Sequence, residues 1–166
     1  VMGYSIPWLA VLSNPRRPIL EAANGTWFIW VVASQSIAVV AAGIEPLYPE
    51  ARQWLAIIAV TTWSMGVMLY AMCGLLLLFR LIMYRLEPQQ LDPPYWITMG
   101  AMAITVVAGA RIVEMDDAPM IDVTRALIAG LSVIFWAFAT WLIPALLAAG
   151  VWRHVVKRVP FRYQPT

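Results

Sequence analysis

The residues able to do chemistry in this 166-residue chain are few, and most lie inside long uncharged runs. Ser34, Gln35 and Ser36 interrupt the apolar stretch IWVVASQSIAVVAAG. A second stretch, WITMGAMAITVVAGARIV, carries Gly100, Ala101, Thr105 and Gly109 and ends near Arg111. Hydroxyls, one amide and backbone left open by small side chains can hold or pass a polar guest, but they do not break covalent bonds. The single cysteine, Cys73, sits in an apolar run, and the single histidine, His154, sits in a basic tail beside Arg153 and Lys157. One cysteine makes neither an internal disulfide nor a metal site, so Cys73 reads as a small buried hydrophobe. His154 reads as an interfacial polar residue. No His/Glu metal spacing, nucleophile with a base partner or haem-attachment motif is present. The expectation is a chain that is not an enzyme, with no catalytic residues, no cofactor and no metal.

The elements that position these residues follow from composition. The chain is 62% hydrophobic and 12% charged, with a mean hydropathy of +0.75. Soluble domains are nearer half apolar and a quarter charged, so the fold class is an all-α integral membrane protein whose first partner is the lipid bilayer. A net charge of +2, without basic residues interleaved with aromatics, gives no reason to expect nucleic acid. Residues 1–12 lack the basic flank of a signal peptide and read as the end of a preceding helix. The last four residues stop without a terminator, so both ends read as parts of a longer chain in which 1–166 belongs to one transmembrane domain.

Charges punctuate the sequence. None occurs between Glu21 and Glu45, Arg52 and Arg80, Asp92 and Arg111, or Arg125 and Arg153. A hydrocarbon core of ~30 Å takes about 20 helical residues, which places spans at about 27–44, 53–84, 95–113 and 123–152. Helices are required because the core offers the backbone no water, and the alternation of a barrel is absent. Arg16 and Arg17, Arg80 and Arg85, and Arg153, Lys157, Arg158 and Arg162 fall on one side. Arg52, Arg111 and Arg125 fall on the other, diluted by Glu45, Glu50, Glu114, Asp116, Asp117 and Asp122. The basic side is expected in the cytoplasm of a cell whose plasma (inner) membrane holds the chain. Trp27, Trp54, Trp96 and Trp152 stand at span ends as an aromatic belt. A faint repeat relates AVVAAG to TVVAGA and MYR to VWR, as expected of two equivalent hairpins.

Small and polar residues are unevenly shared. Ala101, Thr105 and Gly109 recur every four residues in the third span, with Gly100, Ile104 and Ala108 alongside. This smooth face serves either close helix packing or the wall of a conduit. Gln35, with Ser34 and Ser36, stands near mid-membrane, where an unpaired amide costs several kcal/mol. It therefore meets another helix or lines a polar pore. Mid-membrane Asp, Glu and Lys, on which proton-coupled transporters rely, are absent. Arg111 either snorkels and pairs with Glu114 or attracts anions to an outer mouth, against a local acidic cluster. The second and fourth spans are long, bulky and aromatic, with Pro144 expected to kink the fourth. Short, small-residue helices alternating with long, bulky ones imply an inner and an outer ring.

At NGTWFIWVVASQSIAVVAA, LDPPYWITMGAMAITVVAGARIV and FWAFATWLIPALL the sequence resembles the tellurite-resistance/C4-dicarboxylate transporter family, which includes the slow anion channels. The resemblance covers the chain from about Pro15. It implies a bundle of ten helices in five hairpins, with odd helices around a pore and even helices outside them. The four spans would be the fifth to eighth, and RVPFRYQPT would approach a ninth. It implies trimers with one pore per protomer. Neither inner span here has the mid-membrane proline common in the family. The family's occluding Phe belongs to the ninth helix, so no residue of this chain takes that role. The expected function is a passive channel or transporter for small inorganic or C4-dicarboxylate anions. Ser34, Gln35, Ser36, Gly100, Ala101, Thr105 and Gly109 are its candidate pore residues, and Arg111 its candidate anion attractor. Two other readings stand beside it: a proton-coupled dicarboxylate exporter on the same scaffold, and a non-transporting subunit of a membrane complex.

Overall fold

A computed structural model describes residues 25–83 and 95–156. The expected preceding helix at 1–12, the end of the second span at 84, and Arg16, Arg17, Arg85, Lys157, Arg158, Arg162 and the RVPFRYQPT segment lie outside the described residues. Four α-helices account for most of the rest: α1 (Ile29–Ile44), α2 (Arg52–Met83), α3 (Trp96–Val113) and α4 (Pro119–Val151). A 3-10 turn at Gly25–Phe28 leads into α1, and α4 widens into a π turn at Trp152–Val156. All four are long and apolar enough to cross a membrane. No strand occurs among the described residues. The architecture is all-α, as the composition requires.

The lengths fall into two classes. The α2 and α4 helices have 32 and 33 residues, against 16 and 18 for α1 and α3. At 1.5 Å per residue the longer pair reach about 48 Å, well beyond a hydrocarbon core. α4 continues unbroken through Pro144, whose ring lies on an exposed face.

The turns are set by proline. Pro46 and Pro49 each stand in the first turn of a 3-10 segment, Glu45–Leu47 and Pro49–Ala51, which carry the chain from α1 into α2. Pro119 opens α4 after an extended Ala118. Proline is tolerated there because the first helical N–H has no partner to lose.

The short helices lie side by side, α2 packs mainly on α1, and α4 mainly on α3. Of the most apolar stretch of each span, 39% is buried for α1 and for α3, but only 11% for α2 and 6% for α4. The short helices are therefore the inner pair. Met65, Met68, Leu75 and Leu78 of α2, and Val133, Ile134, Trp136 and Trp141 of α4, point outward. They suit lipid, which takes bulky apolar side chains without cost.

The faint sequence repeat corresponds to a structural one. Pairing Phe28 with Tyr95 and stepping forward to Glu45 and Ile112 aligns the two inner helices, and their burial agrees almost residue for residue. Val31, Ala38, Ala41 and Ala42 are buried, as are Thr98, Thr105, Ala108 and Gly109. Val40 and Gly43 are exposed, as are Val107 and Ala110. The two inner helices thus hold equivalent positions, each with one packed face and one open face.

Candidate functional site

The packed faces meet around two aromatic residues of α2. Trp63 is 2% exposed, and its indole N–H donates to the Thr105 carbonyl of α3 at 3.1 Å. Its own carbonyl accepts a hydrogen bond from Gln35 Nε2 of α1 at 3.2 Å. Tyr70, two helical turns on, packs edge-on against Phe28 and Phe135, with ring centroids 4.9 and 5.7 Å away. Its hydroxyl donates to the Thr98 carbonyl at 3.4 Å. One side of the outer helix α2 is therefore a wedge between both hairpins.

Two glycines make room for this wedge. A Cβ on Gly66 would collide with the Gln35 amide. A Cβ on Gly109 would collide with Ser132 Oγ and stand 3.2 Å from Trp63 Nε1. Close approach of backbones at small residues is the usual way membrane helices gain packing energy. Gln35 is wholly buried, with Oε1 unpartnered. Replacing it with leucine removes one interhelical hydrogen bond, worth about 0.6 kcal/mol on average and up to roughly 1.7 in a membrane protein. The expected result is a small loss of stability in detergent unfolding; a loss beyond that range would show that the amide holds more than Trp63.

The structure separates the candidate residues into two groups. Ser34, Gln35, Ala101, Thr105 and Gly109 are buried between helices. The Ser34 hydroxyl bonds the Trp30 carbonyl at 3.1 Å, and Thr105 bonds that of Ala101 at 2.7 Å. These hydroxyls are satisfied within their own helices, so they need no guest. Ser36 and Gly100 instead lie toward the open faces. Ser36 is half-buried with its hydroxyl on the Val32 carbonyl at 2.8 Å, and Gly100 is exposed with nothing where a Cβ would stand. The open face of α3 continues through Ala103, Val107 and Ala110, none of which was singled out from sequence. They share a helical stripe with Gly100 at spacings of three and four, and that spacing is the signal that could have found them.

Charges gather at the opposite end of the helices from Arg80 and Arg153. Arg52 Nε bonds Glu45 Oε1 at 2.6 Å, and its Nη2 bonds Asp116 Oδ2 at 2.7 Å, joining the turns of the two hairpins. Glu45 is 2% exposed. Arg125 binds the Val113 and Met115 carbonyls at the end of α3 and reaches Asp117 Oδ1 at 2.8 Å. Two acids of the cluster that would oppose an anion are thus held by arginines. Arg111 is exposed and touches Glu114 only at 3.6 Å, where both side chains are well solvated. Among the described residues no cluster of His, Cys, Asp and Glu is placed to hold a metal.

Comparison with known proteins agrees with this architecture. Two uncharacterized membrane proteins of Mycobacterium tuberculosis, MT1776 of strain CDC 1551 / Oshkosh and Rv1735c of strain ATCC 25618 / H37Rv, are each 61% identical to this chain over 98 residues. The match takes in 59% of this chain and 50% of each relative, so it spans half the length of the curated relatives. No solved structure matches. Residues 1–166, the whole chain, match the voltage-dependent anion channel family. With four membrane-length helices and a paired inner set already in view, the chain belongs to the SLAC1 family of voltage-dependent anion channels.

Proposed function

We propose that this chain forms the wall of a passive conduit for small anions, either inorganic ions or C4-dicarboxylates, in the plasma membrane. The carrying observation is the pair of equivalent open faces on α1 and α3. They run from Ser36 to Gly43 and from Gly100 to Ala110 without a fixed charge. On α3 the small residues Gly100, Ala103 and Ala110 leave room for an ion, while Ile37 and Val40 of α1 and Val107 of α3 narrow the faces, and selectivity then rests on diameter, polar lining and gate. Ser36 and Gly100 line the conduit in this reading. Ser34, Gln35, Ala101, Thr105 and Gly109 hold the wall in shape from behind. Arg111 stands at the outer end, where its field raises the local anion concentration, and the basic ends of α2 and α4 face the cytoplasm.

The test is flux of chloride, nitrate and malate into liposomes bearing the full-length protein. Uptake above that of empty liposomes, unaffected by an imposed ΔpH, is expected. Ala103→Trp is expected to lower it at least tenfold by plugging the open face, and Arg111→Gln several-fold, with the deficit shrinking at high salt as screening replaces steering. Flux equal to that of empty liposomes would refute a conduit, and strict dependence on ΔpH would point to a proton-coupled exporter instead.

A further inference from the structure

The equivalence of α1 and α3 tells which way their open faces turn. Among the described residues each inner helix has the other on one flank only. In a ring of equivalent helices, a position turned toward the next inner helix is covered in α1 and bare in α3. A position turned toward the previous one is bare in α1 and covered in α3. Only positions turned away from both flanks, and from α2 and α4 behind them, are bare in both. Three pairs meet that condition: Ile29 with Trp96, Val40 with Val107, and Gly43 with Ala110. Ile37 does not, because its counterpart Ile104 is half-buried, so it stands at the edge of the face. Spacings of four and three put Ala33 and Ser36, and likewise Gly100 and Ala103, on the same stripe between the first pair and the second.

The stripe is uneven in height. Val40 and Val107 are 59% and 49% exposed. Each has small neighbours along the stripe, Ser36 and Gly43 on α1 and Ala103 and Ala110 on α3. Gly100, about 10 Å along α3 from Val107, has nothing where a Cβ would stand. We propose that Val40 and Val107 form part of an apolar ring that limits flow through the conduit by excluding water, with a wider chamber beside it around Ser36 and Gly100. This rests on the conduit reading above and locates its resistance. The ring is separate from the occluding Phe, which the family resemblance places on a ninth helix. An anion at this level meets methyl groups on α1 and α3. The hydroxyls of Ser34 and Thr105 cannot replace its water, because both are buried on the packed faces and bonded within their own helices. Narrow apolar necks hold back ions by losing water, and an ion stripped of water without new partners is costly.

Threonine tests the ring, because it keeps the branched shape of valine and adds a hydroxyl. In liposomes bearing the full-length protein, Val107→Thr is expected to raise chloride flux at least threefold, and Val40→Thr with Val107→Thr at least tenfold. Val133→Thr, on the outward face of α4, should leave it unchanged. A second measurement needs no flux. In a Cys73→Ala background, Gly43→Cys and Gly100→Cys place thiols on the two sides of the ring, at glycines where an added Cβ meets nothing. A charged, membrane-impermeant thiol reagent applied on the side of the α1–α2 turn should modify Gly43→Cys at least ten times faster than Gly100→Cys. Adding both valine-to-threonine changes should bring the two rates within about threefold. Equal rates with the valines in place, or flux that the threonines leave as it was or lower, would overturn the ring and leave the conduit standing. Thiols unreactive in every background would put the stripe against lipid or protein and remove ring and conduit together.

Discussion

Replacing Trp63 by alanine is expected to lower stability by roughly 2–4 kcal/mol, the lower part of the range for emptying a large aromatic site. The lower part applies because the side chain leaves a protein interior for a bilayer that is also apolar, so the transfer contribution is small. What remains is the cavity and the lost dispersion contacts. Trp63 holds Thr105 of α3, takes the Gln35 amide of α1 through its carbonyl, and packs near Gly109. The buried cluster that holds Trp63 is rich in alanine, with Ala56, Ala59 and Ala108 among its members, so little side-chain volume stands ready to fill the cavity. Trp63→Phe keeps most of the volume and loses the N–H donor with part of the ring, so its cost should stay below about 2 kcal/mol. Steric-trap unfolding in bicelles measures both. Equal costs would show that the hydrogen bond, and not the volume, joins the hairpins.

Trp63 also marks where the sequence was hard to read. The spans were legible because they depend on length and charge, and a charge inside a bilayer is expensive wherever it points. Which face of a span is buried depends on a contrast between apolar residues of different size. The usual periodic alternation of polar and apolar residues carries little of that in a helix apolar all round. In α2 the buried set Ala56, Ala59, Val60, Trp63, Gly66 and Cys73 does repeat at helical spacing, but most of the other positions are apolar too. The helix therefore reads as a bulky span of the outer ring. For α3 the difficulty was the reverse. Small residues lie on both sides, so the packed stripe of Ala101, Thr105 and Gly109 was distinct in sequence while the open stripe of Gly100, Ala103 and Ala110 was not. Gln35 was legible as a residue that needed a partner. Its choice between another helix and a pore depended on Gly66, 31 positions away in the sequence, leaving room for its amide.

The ion pairs at the α1–α2 and α3–α4 turns give the second large effect. Arg52→Met is expected to cost roughly 2–3 kcal/mol, because it strands the Glu45 carboxylate where almost no solvent reaches it. Breaking a buried pair costs about 3–5 kcal/mol, and the lower figure here reflects the partial exposure of the arginine. Adding Glu45→Gln to Arg52→Met removes the stranded charge and should restore at least half of the loss. Asp116→Asn should cost less than about 1 kcal/mol, because that carboxylate is exposed and water takes the place of Arg52. The two arms also separate by salt: the Asp116 contribution fades as ionic strength rises, while the Glu45 contribution persists. Equal costs for Arg52→Met and Asp116→Asn would show that Glu45 does not depend on the guanidinium. If the asymmetry holds, Arg52 is fixed to its own hairpin by Glu45 and offers only a solvated, breakable contact to the other through Asp116. The hairpins would then be held firmly by the Trp63 wedge and loosely at their turns. Under the conduit proposal, a wall built this way would widen at that end without unpacking its core.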